Sequence, residues 1–518
     1  MLAMDYFDRA AARNPDRIAV TDGTISYTFS ALTDLSTKIA RAIVANGIAP
    51  GEAIAILSPN HPHVLACQHA IMRAGCAWVP ANSRNPVANT LDQTKKFEVK
   101  WLFYHTSLQA DIDTIAASAS GLRGAIPIDG PSPSGETLEM WYSAVPSDVA
   151  LPDVKMDDVL FLGATGGTSG GGLKGAVHTN QSWELTILNS DRLLKLCKPV
   201  VHLVMAPLSH GAGTMHWLVV VKGATLVICP SSDPATILKM IEDYRVTFMF
   251  LPPTILYMLL SYAGLTDHDV SSLEQVVIGS APVAVEKLKE AVEAFGPVIC
   301  HAYGQTEVLI NNMFMSSDEV AAAARDPALE HRLASTGHEG PTARIEIMDD
   351  DGNILPTGER GEIVMKTGTL MREYYKDPER TANSRMFGWH HTGDIGWRDK
   401  DGYIYIVDRK NDMIISGGFN IYPGEIEQVV LAHPAIQDCA VVGVPHDKWG
   451  EMVLAAVELK PGHTLDESSF LNFCKERLQS FRAPKAVEVV DQLPRSPVGK
   501  TLRRAVRDRH WARHARQI

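Results

Sequence analysis

From Ile18 onward, short apolar runs alternate with longer segments of helical period. Ala53–Leu57 (AIAIL) is unbroken and apolar and reads as a buried strand. His63–Ala74 places Val64, Leu65, Cys67, Ala70 and Ile71 at helical spacing. Ala77–Pro80, Val159–Leu162, His202–Met205, Thr225–Ile228, Thr247–Phe250 and Gln275–Ile278 read as further strands. Stretches such as Pro234–Tyr244 and Ala284–Phe295 read as the helices between them. Strands alternating with helices of this length predict parallel sheets covered by helices, an α/β fold.

After about Arg344 the texture changes. Ala343–Met348, Gly361–Lys366 and Gly402–Val407 are short strands separated by turns such as Asp351-Gly352 and Asp401-Gly402, and they predict a small antiparallel barrel or sheet, a small β-barrel in the fold class expected. Beyond Asp408 the pattern is compact α+β: helix Pro423–Ala432, strands Asp438–Val444 and Met452–Lys460, helix Asp466–Leu478, strand Ala486–Val490. We therefore expect a large N-terminal domain over 1–410 and a small C-terminal one over 411–518. The segment 109–150, rich in Ala, Ser, Gly and Pro, reads as a surface excursion. The closing run with Arg503, Arg504, Arg507, Arg509, Arg513 and Arg516 reads as a solvated basic tail.

A length of 518 residues is too great for one simple core and implies several structural units. The formal charge of −12 argues against a nucleic-acid binder, which carries a basic footprint. No apolar run approaches the ~18 residues of a membrane span. Trp217–Cys229 and Phe248–Leu260 come nearest, and Lys222 and Pro252-Pro253 break them. Asp5 and Asp8 stand where a signal peptide would be basic and then apolar. The seven cysteines form no CxxC pair, which implies neither a disulfide framework nor a zinc site. A cytoplasmic protein without a transmembrane segment is expected.

The densest chemistry lies in Gly163-Ala-Thr-Gly-Gly-Thr-Ser-Gly-Gly-Gly-Leu-Lys-Gly175, directly after a strand and expected to lead into a helix. Glycines let successive backbone N–H groups face one centre, Thr165, Thr168 and Ser169 add hydroxyls, and Lys174 adds charge, so the loop suits a polyphosphate. Gly175 after the lysine excludes a Walker A loop. His301-Ala-Tyr-Gly-Gln-Thr-Glu307 sets a hydroxyl beside a carboxylate, suited to phosphate and Mg²⁺ together. Thr392-Gly-Asp394, Asp408-Arg409 and Pro497-Val-Gly-Lys500 are individually weak loop signals.

Together, and with Pro207-Leu-Ser-His210, Gly418 and Pro423-Gly-Glu-Ile-Glu427, these segments resemble, in order and over almost the whole length, the adenylate-forming superfamily. That superfamily comprises acyl-CoA synthetases, peptide-synthetase adenylation domains and firefly luciferases. The resemblance implies a two-step reaction in which ATP activates a carboxylic acid as acyl-AMP and a thiol then takes the acyl group. It also implies a mobile small domain that reorients between the steps. By resemblance Thr165, Gly166, Gly167, Thr168, Ser169, Gly170 and Lys174 cradle the β- and γ-phosphates. Thr306 bonds the α-phosphate, Glu307 holds Mg²⁺, and Asp394, assisted by Arg409, accepts from the ribose. Gly279, Ser280 and Ala281 flank the adenine with Tyr303, beside Gly304. Lys500 bridges the acid and the reacting phosphorus, His210 borders the acyl pocket, and Gly418 lets the pantetheine of CoA pass. The family loop usually has Pro where Leu173 stands and one glycine fewer, and the family's hinge Asp or Lys is replaced by Asn411.

Ser209–His216 contains no carboxylate, which disfavours an amino-acid substrate. The uninterrupted spacing from Gly361 to Asp394 favours a full CoA ligase, with an acyl-AMP ligase that loads a carrier protein as the alternative. No Arg or Lys stands in His210–Trp217, which disfavours a short dicarboxylate. Met215, Trp217 and Leu218 point to a medium- or long-chain fatty, alicyclic or aromatic acid. The expected partners are thus this acid, ATP and CoA, with no nucleic acid, and a homodimer is left open.

Overall fold

The computed structural model describes residues 1–166, 173–197, 199–496 and 501–512. Two large sheets dominate the first part of the chain. One has nine strands in the order His338–Glu339, Leu309–Met315, Ile299–Gln305, Gln275–Ile278, Phe248–Leu251, Val201–Val204, Thr225–Ile228, Ile18–Thr21, Ser26–Thr28. Its six central strands are parallel and antiparallel strands close both edges. The other sheet has seven strands, in the order Glu373–Tyr374, Leu173–Thr179, Val159–Gly166, Ala77–Asn82, Ala53–Ser58, Trp101–Tyr104, Gly124–Pro127. Ala53–Ser58 and Ala77–Asn82 are buried at every position, as strands covered on both faces require.

Helices cover these sheets and start where their caps dictate. The Asp233 carboxylate accepts from Thr236 N–H and Pro234 follows, which opens Pro234–Tyr244. Arg245, left-handed at φ +51°, closes it. Ala343–Met348, Gly361–Thr367, His390–Arg398 and Ile404–Arg409 form the expected antiparallel sheet. A separate sheet begins at Ile414, after the turn Lys410–Asp412. It pairs Phe419–Ile421, Ile414–Ser416, Gly450–Leu459 and Ile436–His446, with Ala486–Val489 parallel to Gly450–Leu459.

Three expectations change. The glycine loop does not pass from a strand into a helix. It connects two antiparallel strands, with Thr165 opposite Lys174 and Gly166 opposite Leu173. The glycine content masked the second strand's short apolar pattern. The segment 109–150 is no mere excursion: it contains helix Gln109–Ser118, the edge strand Gly124–Pro127 and helix Leu138–Ser143. Trp141 of that last helix packs against Trp101 at 5.6 Å between ring centroids. Only Ile112 and Ile115 are buried in Gln109–Ser118, too few to print a periodicity. The basic tail folds as helix Arg503–Trp511, with Val506 and Trp511 buried and the Trp511 indole donating to the Gly443 carbonyl at 3.0 Å. Arg513 and Arg516 lie outside the described residues.

Candidate functional site

The strand pair Val159–Gly166 and Leu173–Thr179 meets the segment after Ile299–Gln305 through a tight contact. A Cβ at Gly163 would stand 2.5 Å from Thr306 Cγ2, so only glycine allows Thr306 to come this close. The buried His178 ring fixes the same segment: its Nε2 lies 2.6 Å from the Thr306 carbonyl oxygen. Burial lowers the His178 pKa to about 4. The ring is therefore neutral, donates from Nε2 to that carbonyl, and accepts at Nδ1 from the Ser182 hydroxyl 3.2 Å away.

Glu307 follows directly. Its Oε1 accepts from the Tyr374 hydroxyl at 2.8 Å, and its carbonyl accepts from Met371 N–H at 2.7 Å. Burial and then the nearby Glu307 push the Tyr374 hydroxyl pKa up, so it remains a donor. The Lys174 ammonium lies 5.7 Å from the centroid of the Tyr374 ring. The lysine of the glycine loop, Tyr374 and the carboxylate of the Gln-Thr-Glu segment thus form one constellation.

A second set builds around Asp394, which is 5% exposed in strand His390–Arg398. Its Oδ2 accepts from the Tyr303 hydroxyl at 2.5 Å and from Gln305 Nε2 at 2.9 Å, and Arg409 Nε lies 3.6 Å from Oδ1. Burial raises the Asp394 pKa, and Arg409, Tyr303 and Gln305 oppose that rise. Gln305 also donates to the Thr392 carbonyl at 2.9 Å, and Glu362 Oε1 accepts from Gly393 N–H at 3.0 Å, which holds the turn. The Tyr303 ring packs in the core with Val308, Met313 and Ile345. Its hydroxyl holds Asp394.

Gly279, Ser280 and Ala281 follow strand Gln275–Ile278. Ser280 is exposed and left-handed at φ +77°, a strained state for a non-glycine residue. Gly304 is exposed, and a Cβ there would stand 2.2 Å from the Leu309 carbonyl oxygen. His210 precedes helix Gly211–Val220 and is exposed. A Cβ at Gly213 would meet the Leu208 carbonyl oxygen at 1.8 Å, so that glycine serves packing. Met215, Trp217 and Leu218 are fully buried and divide between two cores, Trp217 on one side and Met215 with Leu218 on the other.

Gly418 lies in the turn joining Ile414–Ser416 to Phe419–Ile421. Gly417 and Gly418 have φ of +58° and +86°, as a two-residue hairpin demands, and nothing stands within 4 Å of a Cβ built at Gly418. Gly167, Thr168, Ser169, Gly170 and Lys500 lie outside the described residues. Sequence reasoning missed His178, Tyr374 and Glu362, since none belongs to a recognisable motif.

Residues 7–375 match the AMP-binding enzyme family, and residues 425–500 match the AMP-binding enzyme C-terminal domain. Feruloyl-CoA synthase of an Amycolatopsis species is 33% identical over 507 residues, covering 97% of each chain. The medium/long-chain-fatty-acid–CoA ligase FadD8 of Mycobacterium tuberculosis is 32% identical over 531 residues, covering 98% of this chain and 90% of its own. Among solved structures, the amide bond synthetase McbA from Marinactinospora thermotolerans superposes with a TM-score of 0.87 at 28% identity, covering 98% of this chain and 99% of its own.

Proposed function

The chain belongs to the AMP-binding enzyme family, and from that membership we propose how its residues divide the work of an ATP-dependent acyl-CoA synthetase. A carboxylate oxygen attacks the α-phosphorus of ATP and the bond to pyrophosphate breaks, giving acyl-AMP. The thiolate of CoA then attacks the acyl carbon and AMP leaves with the electron pair. Carboxylate and triphosphate repel each other, so the protein must supply preorganised donors and positive charge.

One observation carries the reading: Thr306 and Glu307 are docked on the glycine-loop strands by Gly163, His178 and Tyr374, with the Lys174 ammonium 5.7 Å from the Tyr374 ring centroid. This supports a site in which a hydroxyl, a carboxylate and an ammonium gather beside the strands that carry the glycine loop. The segment 165–175 takes the β- and γ-phosphates and Thr306 the α-phosphate. Asp394, held by Tyr303 and Gln305, takes the ribose hydroxyls with Arg409, and Gly279–Ala281 takes the adenine face. Lys500 neutralises charge at the reacting phosphorus. His210 borders the acid, and the turn at Gly418 gives CoA an unobstructed backbone to pass.

Among the described residues no group of three or more His, Cys, Asp or Glu side chains is placed to hold a metal ion. Glu307 fits Mg²⁺ as the single protein carboxylate of a shell completed by phosphate oxygens and water. When bound there, the ion would neutralise phosphate charge. The small domain pivots at Lys410–Asp412, and substrates of this kind place the enzyme in the cytoplasm.

The acid is a medium- or long-chain fatty, alicyclic or aromatic one. The test is pyrophosphate release with ATP and Mg²⁺ across these acids, with and without CoA. Acid-dependent release that turns over strongly only with CoA supports the reading. A stoichiometric burst that CoA does not relieve points to an acyl-AMP ligase. Lys500→Ala should lower adenylation by ~10²–10³ while thioester formation from added acyl-AMP persists. Equal loss in both steps would overturn the role of Lys500.

A further inference from the structure

Strand Gly361–Thr367 pairs with His390–Arg398 through a bulge. Glu362 faces Ile395 and Val364 faces His391, so Ile363 alone stands opposite Thr392, Gly393 and Asp394. Such a bulge leaves backbone groups unpaired and re-aims the side chains it carries. Here it sets Asp394 opposite Arg409 on the next strand. The Thr392 hydroxyl donates to the Ile363 carbonyl at 2.7 Å and accepts from Asp394 N–H at 3.1 Å. Gly393 is left-handed at φ +73°, and its N–H is taken by a side chain: Glu362 Oε1 accepts it at 3.0 Å.

The second oxygen of Glu362 meets the turn Lys410–Asp412. Lys410, directly after strand Ile404–Arg409, donates to Glu362 Oε2 at 3.4 Å and to Asp350 Oδ1 at 2.6 Å. His391 Nδ1 lies 3.2 Å from the same Oε2 without hydrogen-bond alignment, and its Nε2 lies 3.1 Å from the Met386 carbonyl oxygen. Asp350 and then Glu362 raise the Lys410 pKa against the opposing effect of burial, so the cation is kept. The Glu362 side chain is 10% exposed and that of Asp350 86%, so solvent screens the contact with Glu362 less. A carboxylate buried to this degree needs its charge compensated, and Glu362 draws that compensation from two separate segments.

We propose that Glu362 is a positioning residue that sets the ribose-binding turn with one oxygen and anchors the root of the domain hinge with the other. The inference rests on the reading above, in which Asp394 takes the ribose and the small domain pivots at Lys410–Asp412. With Lys410 tied to the large domain, rotation is confined to the residues that follow it. The two arms are chemically separable. Glutamine at this position still offers a carbonyl oxygen to Gly393 N–H but turns an amide donor toward Lys410, so it cuts the hinge arm alone. Alanine cuts both arms, and Lys410→Met cuts the hinge arm from its other end.

The test is hydrogen–deuterium exchange on the full chain without substrate, for the wild type, Glu362→Gln, Glu362→Ala and Lys410→Met. It is paired with titration of ATP and of 2′,3′-dideoxy-ATP, followed by tryptophan fluorescence. Glu362→Ala should raise exchange in 392–395 roughly tenfold or more, the loss of one bond to a charged acceptor, and should raise it in 410–412 as well. Glu362→Gln and Lys410→Met should raise it in 410–412 only, and they serve if the alanine variant fails to fold. The wild type should prefer ATP over the dideoxy nucleotide, Glu362→Ala should narrow that preference, and the other two variants should keep it. Equal loosening of 392–395 by Glu362→Gln and Glu362→Ala overturns the proposal. So does an unmoved 410–412 in folded Lys410→Met, or an unmoved ATP preference in folded Glu362→Ala. A wild type that binds both nucleotides equally overturns the ribose reading itself, and the exchange pattern then decides the two arms of Glu362 without it.

Discussion

Arg503→Met is the perturbation with the largest expected structural cost. The Arg503 guanidinium donates from Nε to Glu427 Oε1 at 2.8 Å, from Nη2 to Glu427 Oε2, and from Nη1 to Asp408 Oδ1 at 2.6 Å. Asp412 Oδ2 lies 3.5 Å away. The other Asp408 oxygen accepts from Gly424 N–H at 2.6 Å. This fork ties the end of strand Ile404–Arg409 to helix Pro423–Leu431 and to helix Arg503–Trp511. The side chain of Asp408 is only 3% exposed, so the pair is of the buried kind. Deleting one member of such a pair costs about 3–5 kcal/mol, against ~0–1 kcal/mol for a surface pair.

Burial raises the Glu427 and Asp412 pKa values even with Arg503 present. Methionine removes the opposing cation, so the folded variant should hold protons that the unfolded chain has released. Its stability should then fall as pH rises above the ordinary carboxylate range, and its deficit should be smaller at pH 5 than at pH 8. The assay is urea unfolding followed by tryptophan fluorescence, with Arg503→Met/Glu427→Leu as the second variant. An apolar pair should recover much of the loss, because it leaves fewer carboxylates buried alone. A cost below about 1 kcal/mol, or a deficit equal at both pH values, would refute the reasoning.

Tyr374→Phe removes the hydroxyl that Glu307 accepts and keeps the ring beside Lys174. A hydrogen bond to a charged group contributes about 1.5–3 kcal/mol, so the Mg²⁺ concentration needed for half-maximal pyrophosphate release should rise roughly tenfold or more. An unchanged Mg²⁺ titration would count against Glu307 as the magnesium carboxylate. Asp394 should impose an acid limb on ATP binding. Its raised pKa means that the carboxylate is lost as pH falls through that value, so the KM for ATP should climb on the acid side. Asp394→Asn should raise KM at neutral pH and flatten the limb, and a limb that persists assigns it to another group. For folding the sign is opposite: the ionised form is the costlier one in the folded state, so Asp394 makes stability fall as pH rises through its window.

The parallel sheets were legible because buried strands print as apolar runs. Thr225–Ile228, Gln275–Ile278 and Pro234–Tyr244 occur with the expected bounds. The candidate phosphate loop stood out through glycine and hydroxyl density, a local composition. The role of the loop's second arm did not. Leu173–Thr179 is a strand because it pairs with Val159–Gly166, and pairing is no property of either segment alone. Arg503 read as one charge in a basic run because its three carboxylate partners lie 95, 91 and 76 residues away.

By itself the sequence determined the succession of strands and helices, the residue types able to meet phosphate, ribose and a metal ion, and the order in which they occur. All of these follow from side-chain period, backbone freedom and functional groups, which each residue carries locally. Tertiary structure alone decided that Tyr374 serves Glu307, that His178 holds Thr306 and that Tyr303 supports Asp394. Those relations depend on how sheets and helices approach one another. A one-residue change of register in a packed sheet would reverse which face a side chain occupies without altering a single residue of the motif.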